Sequence, residues 1–406
     1  MPWKAAAFQK KNTFIRYNMD NKREVWVDWL RVVACFLVLV VHSTEPFYLG
    51  GDGSQILTAA DAWWVALFEA LARACVPLFV IASSYLLFPL KYSAGEFVRR
   101  RAGRILVPFV IWTCVYALVW GEPVQNFNDL LFNFNYCAGH LWFVYMLIGL
   151  YMIMPMLSPW AERVGRKELS VYLGICFFFT FIPFIREACS GNTVTVIYGT
   201  GGIPMPAHFP LWGEASWNGY GIFYYVSGFI GYLLLGLYLR RFVGELDWRR
   251  TLAVSIPCLL AGFAICFFGF HGRVMASTGG VFPYTAGLDV AVGWETPLFY
   301  DSVSVALLSV ACVLLLRKAS SDGGFYRRVV LPVSKASYGM YLCHMVVLAA
   351  FSGLFRGVLG TGADGCLGVM TTPVEIVLTA VCSYVCVAVA CVLVQRIPRL
   401  GKWLIG

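Results

Sequence analysis

Charge is scarce in this chain: 13% of its 406 residues are Asp, Glu, Lys or Arg, while 59% are hydrophobic and 16% aromatic. That balance excludes a water-soluble domain of this size. Metal-ligand spacing such as HExxH is missing and the five His residues are dispersed, so no metal is implied. There is no zinc-type CxxC pair among the 14 cysteines. Cys35, Cys75, Cys114, Cys258, Cys312 and Cys386 sit in apolar runs, where cysteine is a small filler. Cys137, Cys189 and Cys366 are candidates for the outer side, and their pairing is left open. No cleavable signal is expected, since the first 25 residues are polar and basic and the apolar run that follows is too long for a signal core. No internal repeat and no independently folding polar domain interrupts the chain. The glycine clusters GTGG at 199 and GTGADG at 360 lack the lysine and the strand–helix setting of a phosphate loop and read as turns.

What is present is a series of long apolar runs. Ten are expected to cross a bilayer, at 26 to 44, 62 to 90, 105 to 120, 141 to 157, 171 to 185, 222 to 239, 252 to 270, 298 to 316, 332 to 353 and 374 to 394. The predicted fold is an all-α integral membrane protein, with a basic segment 1–25, a ten-helix domain 26–394 and a tail 395–406. Of the 31 Lys and Arg, all but Arg31, Arg73, Arg186, Arg273 and Arg356 fall in alternate connections beginning with the N-terminal one. Cytoplasmic loops concentrate such residues, so both termini are predicted inside. The net charge of +9 is thus a matter of topology, and no nucleic-acid partner is expected. The long outer connections 45–61, 121–140, 186–221 and 271–297 are expected to cap a site.

Ionisable groups at membrane depth are costly and usually belong to a site. Arg31 and His42 share the first run, WVDWLRVVACFLVLVVH. Eleven residues are close to three helical turns, so the two fall within about 20° of one face, roughly 16 Å apart. Glu69 and Arg73, four apart, can pair along a helix. His344 lies near the middle of the ninth run. His140 and Trp142 open the fourth, where Trp is also a common interfacial anchor. Asp28, one turn before Arg31, is a possible partner for it. Glu45 could orient the His42 imidazole, although Pro46 points to a helix that is ending.

These residues carry a resemblance to the membrane-bound acyltransferase 3 family. DWLRVVACFLVLVVH has the family's Arg, ten intervening residues and His, here Arg31 and His42; RACVPLFVIASSYLL, RRRAGRILVPFVIW, GHLWFVYMLIGLYMIMPML and SYGMYLCH follow in the family's order. Where the family often has Ser-Gly after the VPLF core, this chain has Ser83 and Ser84. The resemblance implies a multi-pass enzyme of the bacterial cytoplasmic membrane. Such enzymes move an acyl group, commonly acetyl, from acetyl-CoA or another acyl-CoA to a hydroxyl of a surface polysaccharide, a lipid-linked glycan or a related acceptor.

Acyl transfer to a hydroxyl needs a base, and an imidazole titrating near neutrality is suited to it; a covalent acyl-His42 intermediate is the alternative. His42, Arg31, Glu69 and Arg73 are therefore the expected catalytic group. Arg31, with Arg100, Arg101 and Arg104 of a basic 99–104 loop, is expected to bind the CoA phosphates. His140, Trp142, Tyr145 and His344 are expected on the acceptor side. The rival reading is a secondary transporter or exporter using the same charges, for which inverted halves and paired broken helices would be the sign.

Overall fold

The structure, a computed structural model, describes residues 23–49, 54–120, 138–189, 193–198, 201–206, 220–360 and 367–406. Cys137, Cys366 and most of the N-terminal basic segment lie outside the described residues, as does the Cys189 side chain. The helices are α1 (Val25–Thr44), α2 (Ala59–Ala72), α3 (Cys75–Leu87), α4 (Ala94–Val119), α5 (Trp142–Arg163), α6 (Arg166–Phe179) and α7 (Ile182–Cys189). They continue as α8 (Ile230–Phe242), α9 (Trp248–Thr278), α10 (Leu288–Trp294), α11 (Val303–Leu316), α12 (Leu331–Leu354), α13 (Thr372–Gln395) and α14 (Pro398–Leu404). Among the described residues, nine helical segments are long and apolar enough to span a membrane. The protein is an all-α integral membrane protein. The only strands among the described residues form two small antiparallel pairs, β1 (Ser54–Ile56) with β4 (Tyr284–Ala286) and β2 (Thr193–Tyr198) with β3 (Gly201–Pro206).

Nine of the ten expected spans match these segments, and the sixth shows why it does not. Residues 222–239 do not form one helix: a 3-10 segment at Gly221–Val226 gives way at Gly228, with φ +68°, before α8 begins. Only glycine adopts that backbone without strain. Irregular backbone is tolerated at membrane depth where it lines a cavity, and Gly228 does line one.

Local chemistry sets other boundaries. Thr58 and Asp61 form a reciprocal capping box that starts α2. Ser93 accepts a hydrogen bond from the Glu96 amide at 3.3 Å and starts α4. Residues 99–104 are consequently helical, a correction to the expected loop. The second span breaks at Arg73, which caps α2, before α3 restarts at Cys75.

α1 is central, packed on α2, α3, α12 and α13. Its Trp26, Val27, Leu30, Ala34, Val38 and Val41 are buried at helical spacing. At its N-terminal end the Asp28 carboxylate receives both Arg23 nitrogens at 2.6 and 2.8 Å, the Tyr326 hydroxyl at 2.7 Å and the Ser334 hydroxyl at 2.6 Å. This pairing, chiefly the hydrogen bonds to Asp28, raises the Arg23 pKa above its ordinary value. Elsewhere polar side chains bond backbone carbonyls across helices. Tyr116 donates to Leu342 O at 2.8 Å, Tyr338 to Ile105 O at 2.8 Å and Ser84 to Leu233 O at 2.5 Å. Opposite Ser84 stands Gly236, where an added Cβ would come within 2.6 Å of the Ser84 Cβ. The serine that replaces the family's frequent glycine is thus accommodated by a glycine on α8.

Candidate active site

Two cavities reach into the bundle along α1, one at each end of the Arg31–His42 stripe. The first, about 450 Å³, is lined by Arg23, Arg31, Arg101, Arg104 and Lys335, with Tyr151, Tyr338 and Ser83 among its other walls, and no carboxylate. Since Asp28 is saturated by other donors, Arg31 does not pair with it. Among the described residues Arg31 has no hydrogen-bond or ion-pair partner. A guanidinium offers five donors and no acceptor, so this face of the cavity is built for an anion.

The second cavity, about 440 Å³, is lined by His42, Glu45, Arg73, Glu295 and Asp301, with an aromatic wall of Trp142, Phe229 and Tyr300. The end of α1 runs on into a 3-10 turn, Glu45–Phe47, that accommodates Pro46 in its first turn. This turn brings Glu45 Oε2 to 2.8 Å from His42 Nδ1. A carboxylate accepts, so Nδ1 carries a proton, and in the neutral imidazole Nε2 holds the lone pair. His42 is thereby oriented as a base or nucleophile.

Behind it Arg73 donates to Glu69 Oε2 at 2.8 Å and to Leu298 O at 2.9 Å, and stands 3.5 Å from Glu295 Oε2. Glu69 is fully buried, accepts from Thr44 at 2.5 Å, and lines neither cavity. Tyr48 donates to Glu295 Oε1 at 2.6 Å; burial raises its phenol pKa well above the ordinary value, which keeps that donor protonated. The pair Glu69–Arg73 therefore positions Glu295 and the cavity wall.

The two cavities share Phe143 and Tyr341, whose ring centroids are 5.1 Å apart. Tyr341 is pinned by its hydroxyl, which donates to His140 O at 2.5 Å. An aromatic partition thus separates the basic cavity from the acidic one. Against it lie three imidazoles: His344 is 5.1 Å from His42 and 5.3 Å from His140, centroid to centroid. His344 Nδ1 meets Tyr341 O at 2.5 Å, and among the described residues the buried Nε2 atoms of His344 and His140 have no hydrogen-bond partner.

Of the residues expected from sequence, Arg31, Arg101 and Arg104 meet at one cavity, and His42, Arg73, His140 and Trp142 at the other. His344 abuts the second through His42 without lining it. Two stand apart. Arg100 bonds Glu96 at 2.6 Å and covers the Tyr92 ring, and Tyr145 packs on Phe109 at the exposed surface of α5. Sequence reasoning passed over Arg23, Lys335, Phe143, Tyr341, Glu295 and Asp301. Asp301 had a usable signal, because it is an acid inside the expected span 298 to 316.

Compared with known families, residues 24–394 match the family model described as an acyltransferase domain. No curated protein and no solved structure matches the chain.

Proposed function

The chain belongs to the acyltransferase 3 family, and we propose that this membrane acyltransferase moves an acetyl group from acetyl-CoA to a carbohydrate or glycolipid hydroxyl. The observation that carries the reading is the pair of cavities of opposite polarity meeting at one aromatic partition, with His42 on the far side of it. The basic cavity suits the phosphates of the donor, a substrate that enters and leaves each turnover, at the cytoplasmic side of a bacterial inner membrane. Arg31, Arg101, Arg104 and Lys335 bind those phosphates as multidentate or point-charge donors. The slender pantetheine arm then reaches past Phe143 and Tyr341 toward His42.

At His42 the acceptor O–H gives its proton to Nε2 while its oxygen bonds to the thioester carbon. The C–S bond breaks, and the proton passes on to the departing thiolate. If Nε2 itself attacks first, CoA leaves as the thiolate before the acceptor arrives; the hydroxyl oxygen then takes the acyl group as the N–C bond breaks, and the hydroxyl proton is left on the freed Nε2. Glu45 serves both routes by holding the ring and the tautomer. His140 lines the same space, where a ring N–H would face the charge that gathers on the thioester oxygen.

His42→Ala is expected to lower transfer of label from acetyl-CoA by about 10²-fold or more, with an unchanged melting temperature in detergent or nanodiscs. Wild-type turnover in that variant would sink the assignment. Mass analysis of surface and lipid-linked glycans from cells with and without the protein tests the reaction itself: one acetyl mass is lost with the protein. An unchanged glycan profile with altered solute uptake would favour the transporter.

A further inference from the structure

The cavity at His42 has a charge pattern that the transfer reaction alone does not require. Glu45, from the turn that ends α1, and Glu295 and Asp301, both from the connection between α10 and α11, line it against one permanent cation, Arg73. That cation is committed to Glu69, Glu295 and the Leu298 carbonyl, so it has little to offer a further anion. The other Arg residues toward this end do not line the cavity. Arg273 is paired with Glu187, Arg356 with Glu375, and Arg186 acts on Tyr220. Segments 50–53, 121–137, 190–192, 199–200, 207–219 and 361–366 contain no Lys or Arg, so they bring none either. The donor cavity is the reverse, with five cations and no carboxylate among the described residues that line it.

We infer that the acceptor is a hydroxyl compound free of anionic groups, a neutral pyranose unit, and that the site refuses uronic-acid and phosphorylated glycans. This rests on the acyl-transfer reading and names the substrate class for it. Trp142 and Tyr300, 5.6 Å apart with planes 31° from parallel, give a sugar ring an apolar platform. The carboxylates give its hydroxyls acceptors. An anion at the same place meets like charge, which electrostatic complementarity penalises strongly. The same carboxylates keep the phosphates of the donor on the basic side of the partition.

The test uses the full chain in lipid nanodiscs with matched pairs that differ only in charge: methyl glucoside with methyl glucuronide, and methyl glucoside with its 6-phosphate. Binding is read by calorimetry or thermal shift, and label transfer from acetyl-CoA is read separately. The neutral member is expected to bind at least about tenfold more tightly, and the gap should shrink in the E295Q/D301N double variant. Asp301→Asn alone, whose side chain meets the Tyr220 hydroxyl at 3.0 Å, should narrow it partway if the double variant does not fold. Equal or tighter binding of the anionic members, or no binding of any member, overturns the inference. Charge selection in binding without label transfer leaves the inference standing and removes the acyl-transfer reading; label transfer to both members alike does the opposite.

Discussion

Asp28 decides what Arg31 is available for. Its two oxygens are filled by Arg23, Tyr326 and Ser334, so the helical neighbour that sequence offers as Arg31's partner is already taken. A guanidinium left without a partner beside four other cations is costly to the apo protein and useful to a polyanion. Arg31→Ala is therefore expected to raise the KM for acetyl-CoA by about 10- to 100-fold, the worth of a charged hydrogen bond, with little effect on the melting temperature. Arg100→Ala, which loses only a surface pair with Glu96, should leave that KM within about twofold. Equal effects of the two would place the donor elsewhere. At this scale sequence was partly informative. The Arg31–His42 spacing was readable because helical periodicity fixes a shared face. The Glu45 contact was obscured because Pro46 signals a helix end, whereas the chain continues into a 3-10 turn that keeps the carboxylate under the imidazole.

The sixth membrane element shows what hydropathy does not resolve. Its apolar content satisfies a span, yet Gly228 breaks the helix and lends backbone to the acidic cavity. The local break follows from one backbone angle, which composition averages away. The remainder of α8 is held against α3 by the Ser84 hydroxyl and by the close approach at Gly236. Gly236→Ala is expected to destabilise the protein by about 1–3 kcal/mol through overpacking. Because Ile81 O would also stand 2.9 Å from the new Cβ, adding Ser84→Gly should restore only part of the loss in a double-mutant cycle. Full additivity of the two substitutions, measured by thermal or denaturant unfolding, would refute the contact. Here the sequence offered a clue of another kind, since Ser84 stood out as a departure from the family pattern before its partner was visible.

Over the whole molecule, charge is segregated by sign and by depth. The distribution of Lys and Arg was legible from sequence because it follows the topology rule. The convergence of Arg23, Arg31, Arg101, Arg104 and Lys335 was not, because they come from helices distant in the chain. The same holds for Glu45, which meets Glu295 and Asp301 from a distant part of the chain. Long-range assembly carries no periodic signature. Opposite polarities predict unequal salt responses: raising ionic strength to about 0.5 M, where screening acts within a few ångströms, should increase the KM for acetyl-CoA several-fold. The KM for a neutral glycoside should barely move, and steady-state assays with each substrate varied in turn will show whether the two separate.

The shared Phe143–Tyr341 wall has an electrical consequence. Where two polar recesses approach from opposite faces, the membrane voltage no longer falls evenly across the hydrocarbon thickness. It concentrates over the thin layer between the recesses. Moving one elementary charge through that layer is worth about 2.3 kcal/mol for each 100 mV, and the phosphates and carboxylates stay on their own sides of it. On the proposed direct transfer, what crosses is an uncharged acyl group and the thiol returns neutral, so membrane voltage is expected neither to drive the passage nor to oppose it.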